Sequence, residues 1–332
     1  MTGERTGVTE DPAGERDKGQ ILFLVCRWIP VAILLQYGFA KIFGAQFTIL
    51  DSELDKPLGT VSGFWLTWYY FGYSPVFGNM IALAQIGLGV ALAFRRTALL
   101  GAAGTVPLLG GIAVLDLSYA IALDAMLIAL IGAGCAAYVL WRHRAELAAV
   151  FWKNGQDASW KNGQDGGAPP PPRTRRRWVP AGVLVLLLAL TSSCSFYVAN
   201  YNNRVPTPLD GTWDVTAGSF RPPGLPGPAE RVYFERNRAF QAVLRSGQTW
   251  QTYHFEVDAA TTTIRLWRTW LSKGEQLLSG TYSLGTGRLT ITGNDLVTGR
   301  PLVLELRSVP VARLRPVQLG HSERFDESSK YL

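Results

Sequence analysis

The stretch that decides the fold is Arg27–Phe47, with the sequence RWIPVAILLQYGFAKIFGAQF. It is an apolar run of helical length that nevertheless carries Arg27, Gln36 and Lys41. A polar side chain facing hydrocarbon costs several kcal/mol unless it finds a partner. We therefore expect this run to be a membrane helix around which other membrane helices pack.

The composition divides the chain of 332 residues into two unlike parts. Residues 20–199 contain the long apolar runs, whereas the remainder has an ordinary soluble composition. Much of the positive excess behind the net charge of +7 lies beside those runs, where cations set the orientation of a membrane protein. We expect a membrane part and a soluble part, with the lipid bilayer as a partner and no binding of nucleic acid.

Five apolar runs have the length of a membrane span. A bilayer core of ~30 Å needs ~20 helical residues at 1.5 Å each. Short connections predict antiparallel neighbours, and recurrent glycine and alanine permit close helix approach. Residues 20–141 therefore predict a four-helix bundle, followed by a separate fifth helix. The predicted helices are approximately Gln20–Phe43, Ser74–Phe94, Thr97–Leu117, Tyr119–Trp141 and Trp178–Ala199.

The segments outside these helices indicate the orientation. Residues 1–19 are polar and predict a disordered tail, residues 142–177 form a basic linker rich in Pro and Gly, and residues 318–332 form a second tail. Loop cations at Arg95, Arg96 and in the linker favour the cytoplasm. We expect a multi-pass protein of a bacterial inner membrane, with a cytoplasmic N-terminus and an exported region after residue 200.

An aromatic cluster follows the first helix. Such amphipathic rings are typical of a membrane surface, where they anchor a segment, but they also line ligand sites. Both interpretations stay open, and the interfacial anchor is the simpler one. The candidate interface residues are Trp65, Trp68, Tyr69, Tyr70 and Tyr73.

Residues 207–317 predict an all-β domain. Short segments, several with alternating polarity, are separated by turn residues such as Gly247, Gly285 and Gly293. About eight strands are expected. Sequential strands joined by tight turns favour a meander that closes into a small barrel, because closure removes exposed sheet edges.

The triplet Gly211-Thr212-Trp213 resembles the G-x-W signature of the lipocalins. The resemblance implies a barrel that holds an apolar molecule, whereas the size of the domain favours an interior filled by side chains. Either way, the large aromatic residues of the strands are expected to face inward. The candidate ligand or core residues are Trp213, Tyr233, Phe240, Trp250, Phe255 and Trp267.

The membrane part resembles the DoxX family of bacterial four-helix membrane proteins. The resemblance spans about residues 20–141 and rests on Tyr37-Gly38-x-x-Lys41, Gly44-x-Gln46-Phe47, the FGYSPVFG segment, Gln85 and Arg95-Arg96-Thr97. It implies quinone-linked redox chemistry, or an accessory role beside redox-enzyme subunits. The fifth helix and the β domain lie outside the family's pattern.

The residues themselves leave the question of an enzyme open. No intramembrane histidine pair, Cys/His metal cluster or nucleophile motif is present, so we expect no metal and no covalently bound cofactor, and no catalytic residue can be named. A polar set within the spans could bind a quinone or form structural pairs that fix helix register. The candidate residues are Arg27, Gln36, Lys41, Gln85, Asp116 and Asp124.

Two functional hypotheses follow for a membrane α-helical protein with a C-terminal all-β barrel. The first is an accessory or quinone-interacting subunit of a membrane redox or oxidative-stress system. The second is a non-catalytic, membrane-anchored binding or scaffolding protein whose exported barrel binds a lipid or an envelope protein.

Overall fold

The computed structural model describes residues 12–145, 147–148, 178–201, 203, 205–236 and 240–309. In these ranges, five helices are long and apolar enough to cross a membrane: Lys18–Ile42, Pro75–Ala93, Ala98–Ser118, Leu123–Arg142 and Trp178–Tyr201. The predicted helical membrane region is confirmed. The helices are α1 (Pro12–Ile42), α2 (Asp51–Leu54), α3 (Gly63–Tyr73), α4 (Pro75–Ala93), α5 (Ala98–Ser118), α6 (Leu123–Arg142) and α7 (Trp178–Tyr201).

Two departures from the sequence prediction concern helices. Helix α1 begins at Pro12, so residues 12–19 are helical rather than disordered. The aromatic segment after α1 also forms a helix, α3, whose N-cap Ser62 accepts a hydrogen bond from the Trp65 N–H at 3.5 Å. Residues 1–11, residues 149–177 of the linker and residues 310–332 lie outside the described residues.

The chain divides into two compact units. The membrane unit comprises Met1–Phe39 and Met80–Ser193, and the barrel unit comprises Ala40–Asn79 and Cys194–Leu332. The segment between α1 and α4 therefore belongs with the barrel, although the barrel follows it in sequence by more than a hundred residues.

Small residues allow the helices of the membrane unit to approach closely. A Cβ at Gly101 of α5 would lie 2.6 Å from the backbone nitrogen of Leu92 on α4, and one at Gly38 of α1 would lie 2.7 Å from Ile86. Real Cβ atoms do not approach that closely, so a side chain at Gly101 would clash with the backbone of α4, and one at Gly38 would force Ile86 to move. Lipid gives no hydrophobic drive for helix association, and such contacts supply van der Waals attraction instead.

The barrel unit contains a closed antiparallel barrel of eight strands. Each strand pairs with the next, and β1 pairs with β8 to complete the ring. The predicted meander of about eight strands is confirmed. The strands are β1 (Gly211–Ala217), β2 (Arg231–Phe234), β3 (Gln241–Ser246), β4 (Thr249–Asp258), β5 (Thr263–Thr269), β6 (Lys273–Gly285), β7 (Arg288–Asp295) and β8 (Arg300–Val309).

A continuous apolar core occupies the barrel interior. It joins Trp213 of β1, Phe234 of β2 and Phe255 of β4 with aliphatic side chains from β5 to β8. The rings of Phe234 and Phe255 lie 4.9 Å apart between centroids. The Trp213 indole N–H donates to the Leu209 carbonyl at 2.8 Å, so the polar atom of this buried ring is satisfied.

Candidate functional site

The connector, defined here as residues 43–74 between α1 and α4, lies within the barrel unit. Its two helices are tied together through Glu53 of α2. The Glu53 carboxylate accepts from Lys56 at 2.5 Å, and its backbone carbonyl accepts from the Tyr69 hydroxyl of α3 at 2.5 Å. Burial, and then the charge of Glu53, raise the pKa of Tyr69 well above its ordinary value, so the phenol stays a neutral donor.

Strand β2 presents opposite faces to the barrel core and to the connector. Val232 and Phe234 belong to the interior core. Side chains of a strand alternate, so Arg231, Tyr233 and the following Glu235 point outward. Outward residues of a small barrel normally meet water, yet Tyr233 is 0% exposed and Glu235 is 4% exposed. The connector covers this face.

The carboxylate of Asp55, just after α2, binds three side chains of that outer face. One oxygen, Oδ2, accepts from Arg231 Nη1 at 2.8 Å, from Arg245 Nη1 at 3.0 Å and from the Tyr233 hydroxyl. Arg231 also donates to Asp214 of β1, Nε to Oδ1 at 2.5 Å. The hydrogen bond to Asp214 and the contact with Asp55 raise the pKa of Arg231, whose charge is thus secured.

A second carboxylate, that of Glu235, holds the beginning of α2. Its Oε2 accepts the backbone N–H of Asp51 at 3.0 Å, and its Oε1 accepts that of Ser52 at 2.9 Å. These are donors that an α-helix leaves unpaired in its first turn. Burial raises the pKa of Glu235 to about 7, a shift that the two N–H groups oppose and that the Asp51 carboxylate increases. The group therefore titrates in the physiological range.

Beside Glu235 lies a cavity of about 360 Å³, bounded by the connector, by Asn203 two residues after α7 and by the rim of the barrel. The Asn203 side chain, next to the end of α7, closes one side by donating from Nδ2 to the Ala45 carbonyl at 2.9 Å. Apolar and charged groups share the lining, which is the mixture typical of ligand sites. The lining residues are Phe47, Thr48, Ile49, Leu50, Asp51, Leu54, Gly72, Asn203, Gly211, Phe234, Glu235 and Arg236.

One lining residue, Phe47, has an unusual backbone. Its φ of 63° lies in the left-handed region, which is uncommon for a bulky residue. Its ring is fixed by stacking on Phe71 at 5.1 Å and by an edge contact with Trp68 at 5.4 Å. Such conformations cost of order 1–3 kcal/mol and are concentrated at functional sites. The strain at Phe47 therefore makes this cavity a candidate binding site.

Among the predicted intramembrane residues, Arg27 and Gln85 have contrasting surroundings. Arg27, 5% exposed, donates from Nε to the Leu92 carbonyl at 2.6 Å and from Nη2 to the Ala93 carbonyl at 2.5 Å, at the end of α4. A cation there complements the helix dipole. Gln85 is 0% exposed, and neither polar atom of its amide has a hydrogen-bond partner among the described residues.

The other four members of that set lie on α1, α5 and α6. Lys41 belongs to the barrel unit, where its Nζ donates to Gln46 Oε1 at 2.9 Å. Asp116 is buried near the end of α5, Asp124 is exposed in the first turn of α6, and Gln36 is half-buried on α1. Quinone binding by this set, or structural pairing within it, stays a prediction.

The predicted barrel residues divide between the two faces. Trp213 and Phe255 belong to the interior core, and Phe240 packs against it. Tyr233, Trp250 and Trp267 do not face inward as expected. The Tyr233 hydroxyl binds Asp55 of the connector. Trp250 is three residues from the inward Tyr253 on β4, so the two side chains lie on opposite faces. The Trp267 ring contacts the outward His254 at 5.5 Å between centroids. Aromatic character alone did not reveal which face of each strand they occupy.

All five candidate interface residues lie on α3. Tyr70 is 65% exposed and Tyr73 is 42% exposed, as a surface anchor requires. Trp68, in contrast, contacts the cavity residue Phe47, and the Tyr69 hydroxyl binds Glu53. One helix thus combines exposed rings with rings that support the cavity, and both sequence interpretations stay open.

Sequence reasoning missed Asp55, Glu235, Arg231 and Arg245 as members of a site. A signal was present in RVYFER, where Arg231, Tyr233 and Glu235 alternate with apolar residues. That alternation marks polar groups on one strand face, but it does not identify the segment that covers them.

No family model and no solved structure matches the chain. The uncharacterised protein YwoB of Bacillus subtilis (strain 168) is 30% identical over 120 residues, which is 35% of this chain and 72% of YwoB. The chain belongs to the YwoB family. No match to the DoxX family supports the resemblance seen in the membrane part, and the name YwoB carries no activity.

Proposed function

We propose that this protein is a membrane-anchored binding protein whose ligand site is the cavity between the connector and the barrel rim. The observation that carries the proposal is the cavity of about 360 Å³, with Glu235 held in its wall by two backbone N–H groups. Pockets for small molecules are typically about 300–1,000 Å³ and combine apolar walls with a few fixed polar groups.

The position of the cavity along the chain fits a ligand from the bilayer surface. Phe47 follows the end of α1 by five residues, and Asn203 follows the end of α7 by two. Both helices are candidate membrane spans. The barrel interior is a poorer candidate because its inward side chains form a continuous apolar core. The site proposed here therefore differs from the interior site that the lipocalin resemblance implies.

A photoreactive amphiphile tests this proposal. The full chain in phosphatidylcholine nanodiscs is labelled with a diazirine derivative of dodecanol, and the labelled peptides are mapped by mass spectrometry. We expect labelling within residues 47–54. Leu54→Trp fills the cavity and should lower that labelling about fivefold or more, since a blocked site loses the specific component. Unchanged labelling in Leu54→Trp would overturn the proposal.

The control is Leu58→Trp, the same change four positions along the connector. Leu58 is 71% exposed, so the new ring projects into the surroundings and leaves the cavity open. Both variants are compared by thermal unfolding, which separates a blocked cavity from a damaged fold.

We also propose the orientation and location predicted from the sequence: a bacterial inner membrane, a cytoplasmic N-terminus and an extracytoplasmic barrel. The cations Arg95 and Arg96 between α4 and α5 support this orientation, as does the bacterial origin of the relative YwoB. A reporter fused after residue 309 that is active only outside the cytoplasm tests it. Activity of a cytoplasmic reporter at that position would reverse the assignment.

A quinone-interacting role within a redox or oxidative-stress system is the second candidate. One observation favours it: the fully buried amide of Gln85 lacks a partner within the described residues, and buried amides ordinarily have one. A quinone carbonyl could accept from this amide. Arg27 is a weaker donor candidate, because two carbonyls of α4 already occupy its guanidinium.

Gln85→Leu distinguishes an amide that binds a quinone from one that binds no ligand. If Gln85 binds a quinone, the quinone that co-purifies with the wild type should be lost from the variant. Removal of an unpaired buried amide is otherwise neutral or stabilising. Equal quinone content in both proteins, or none in either, would remove Gln85 as a quinone ligand. Leu83→Ala, a change at a 62% exposed position of the same helix, is the control.

A further inference from the structure

We infer that the cavity takes a cationic amphiphile, a hydrocarbon chain that ends in an ammonium group; the inference rests on the proposed binding function. Three properties of the lining carry it: its balance of charge, the spare acceptor capacity of Glu235, and the apolar and aromatic walls beside that carboxylate.

The charge of the lining favours a cation. Asp51 and Glu235 contribute carboxylates. Arg236 contributes a guanidinium, but its side chain is 65% exposed and its Nε is paired with Asp210 Oδ2 at 3.0 Å. Lys41 is not part of the lining; its Nζ donates to Gln46 and lies 5.6 Å from the centroid of the Phe47 ring. An added anion would be repelled by the ionised Glu235 carboxylate, whereas an added cation would be attracted by it.

The geometry of Glu235 leaves room for a ligand donor. Each carboxylate oxygen accepts one backbone N–H, from Asp51 or Ser52. An ionised carboxylate has about four acceptor sites, so both oxygens retain capacity. The two existing bonds also fix the orientation of the carboxylate before a ligand arrives, which lowers the entropy cost of binding.

The remaining walls suit the rest of an amphiphile. Leu50 and Leu54 supply aliphatic surface along the connector, and Phe47 and Phe234 line the same cavity. A hydrocarbon chain alone would need only the leucines. The Glu235 carboxylate beside these apolar walls favours a cationic end group.

Matched probes test the charge preference. Dodecylamine, dodecanol and dodecyl sulfate share one chain length, and each competes with photoreactive dodecanol for the full chain in phosphatidylcholine nanodiscs. Alkylamines stay protonated from pH 6 to 8, like a lysine side chain with its pKa of about 10.4. At pH 8 we expect dodecylamine to compete about tenfold better than dodecanol, a difference of about 1.4 kcal/mol, and dodecyl sulfate to compete least.

Two further measurements assign the preference to Glu235. Glu235→Gln should abolish the advantage of dodecylamine and leave dodecanol within about twofold. In the wild type, the same advantage should shrink as the pH falls from 8 to 6, because Glu235 becomes neutral. The pH series needs no variant, so it tests the inference even if Glu235→Gln folds poorly. Glu256→Gln, on the outer face and outside the lining, is the matched control.

The outcomes separate this inference from the proposed function. Equal competition by all three probes would overturn the cationic ligand while leaving a binding cavity. Competition by none would overturn both. Nanodiscs that contain phosphatidylethanolamine identify the source: a weaker effect of added dodecylamine would indicate that the lipid headgroup already occupies the site, and an unchanged effect would indicate a free alkylamine.

Discussion

Strand β2 has one face in the barrel interior and the other under the connector, and the two faces hold the chain together differently. On the inward face, Val232 and Phe234 join an apolar core, where packing does not depend on pairing with a specific polar group. Outward, Arg231 and Tyr233 bind the single carboxylate of Asp55, and Glu235 binds two backbone N–H groups of α2. The inner face closes the barrel, and the outer face attaches the connector to it.

The difference has an energetic basis. Apolar burial contributes about 25 cal/mol per Å² and does not depend on direction. Carboxylate and guanidinium groups lose hydration on burial, and only close pairing offsets the free energy that this costs. The interior therefore contributes most to stability, while the outer face specifies which segment docks and leaves polar groups in place beside a cavity. Substitutions on the two faces should differ in their effects.

The largest effect is expected from the interior. Phe255 is 0% exposed and packs on Phe234, so Phe255→Ala should lower the free energy of unfolding of the barrel by about 3–5 kcal/mol, from lost transfer energy and a new cavity. Thermal unfolding in nanodiscs, followed by tryptophan fluorescence, measures it. Leu284→Ala, at a 48% exposed position of β6, should cost less than about 1 kcal/mol. Similar losses in both variants would contradict the assignment of the core.

The second effect is the pH dependence that Glu235 confers. Burial raises the pKa of this group to about 7 from 4.5, so protonation is favoured in the folded state. Its contribution to stability is fully present below pH 4.5 and is lost as the pH rises through 7. The shift corresponds to a loss on the order of 3 kcal/mol between those limits.

The variant Glu235→Gln isolates that contribution. Its carboxamide does not titrate, so the difference in unfolding free energy between wild type and variant should change with pH between 4.5 and 8. The wild type should become less stable relative to the variant as the pH rises. Other groups titrate equally in both proteins and cancel. Hydrogen exchange of the Asp51 and Ser52 amides reports the same event locally. A difference that stays constant with pH would show that Glu235 is not buried as described.

The sequence was sufficient to predict the membrane spans and the strands of the barrel. Membrane spans follow from apolar length, and strand positions follow from turn residues and alternation, so the five spans and the eight strands were predictable to within a few residues, except at the start of α1. The short helices α2 and α3 were not predicted. Trp213 and Phe255 face inward as expected, but the same reasoning from large rings failed for Tyr233, Trp250 and Trp267.

The contacts between the connector and the outer face of β2 were not predictable from local sequence pattern. Asp55 and Arg231 are separated by 176 residues, and no rule of spacing relates a carboxylate in a short connector to a guanidinium that distant. Tyr233 was predicted to face inward because its ring suggested core, whereas its hydroxyl found a partner outside. Docking depends on the tertiary structure of both segments, and only an alignment of covarying positions or the structure itself could reveal it.

The smallest of the three effects concerns the ion pairs of the outer face. Asp55→Asn removes the charge between Arg231 and Arg245, whose side chains are 16% and 24% exposed, while keeping the shape of the group. Pairs at this depth fall between exposed pairs, worth up to about 1 kcal/mol, and buried pairs, whose disruption costs about 3–5 kcal/mol. We expect a loss of about 2 kcal/mol, measured as faster hydrogen exchange of the connector.

The control for Asp55→Asn is Glu275→Gln, which breaks the pair between Arg268 and Glu275 on the same barrel. These side chains are 58% and 62% exposed and their closest charged atoms are 3.7 Å apart, so solvent screens the interaction and the loss should be less than about 0.5 kcal/mol. Because Asp55 joins the connector to β2 and β3, its variant should also weaken labelling of the cavity, whereas Glu275→Gln should not. If Asp55→Asn left the connector amides as protected as Glu275→Gln does, the connector would be held by its apolar contacts and the charged face would have no special role in docking.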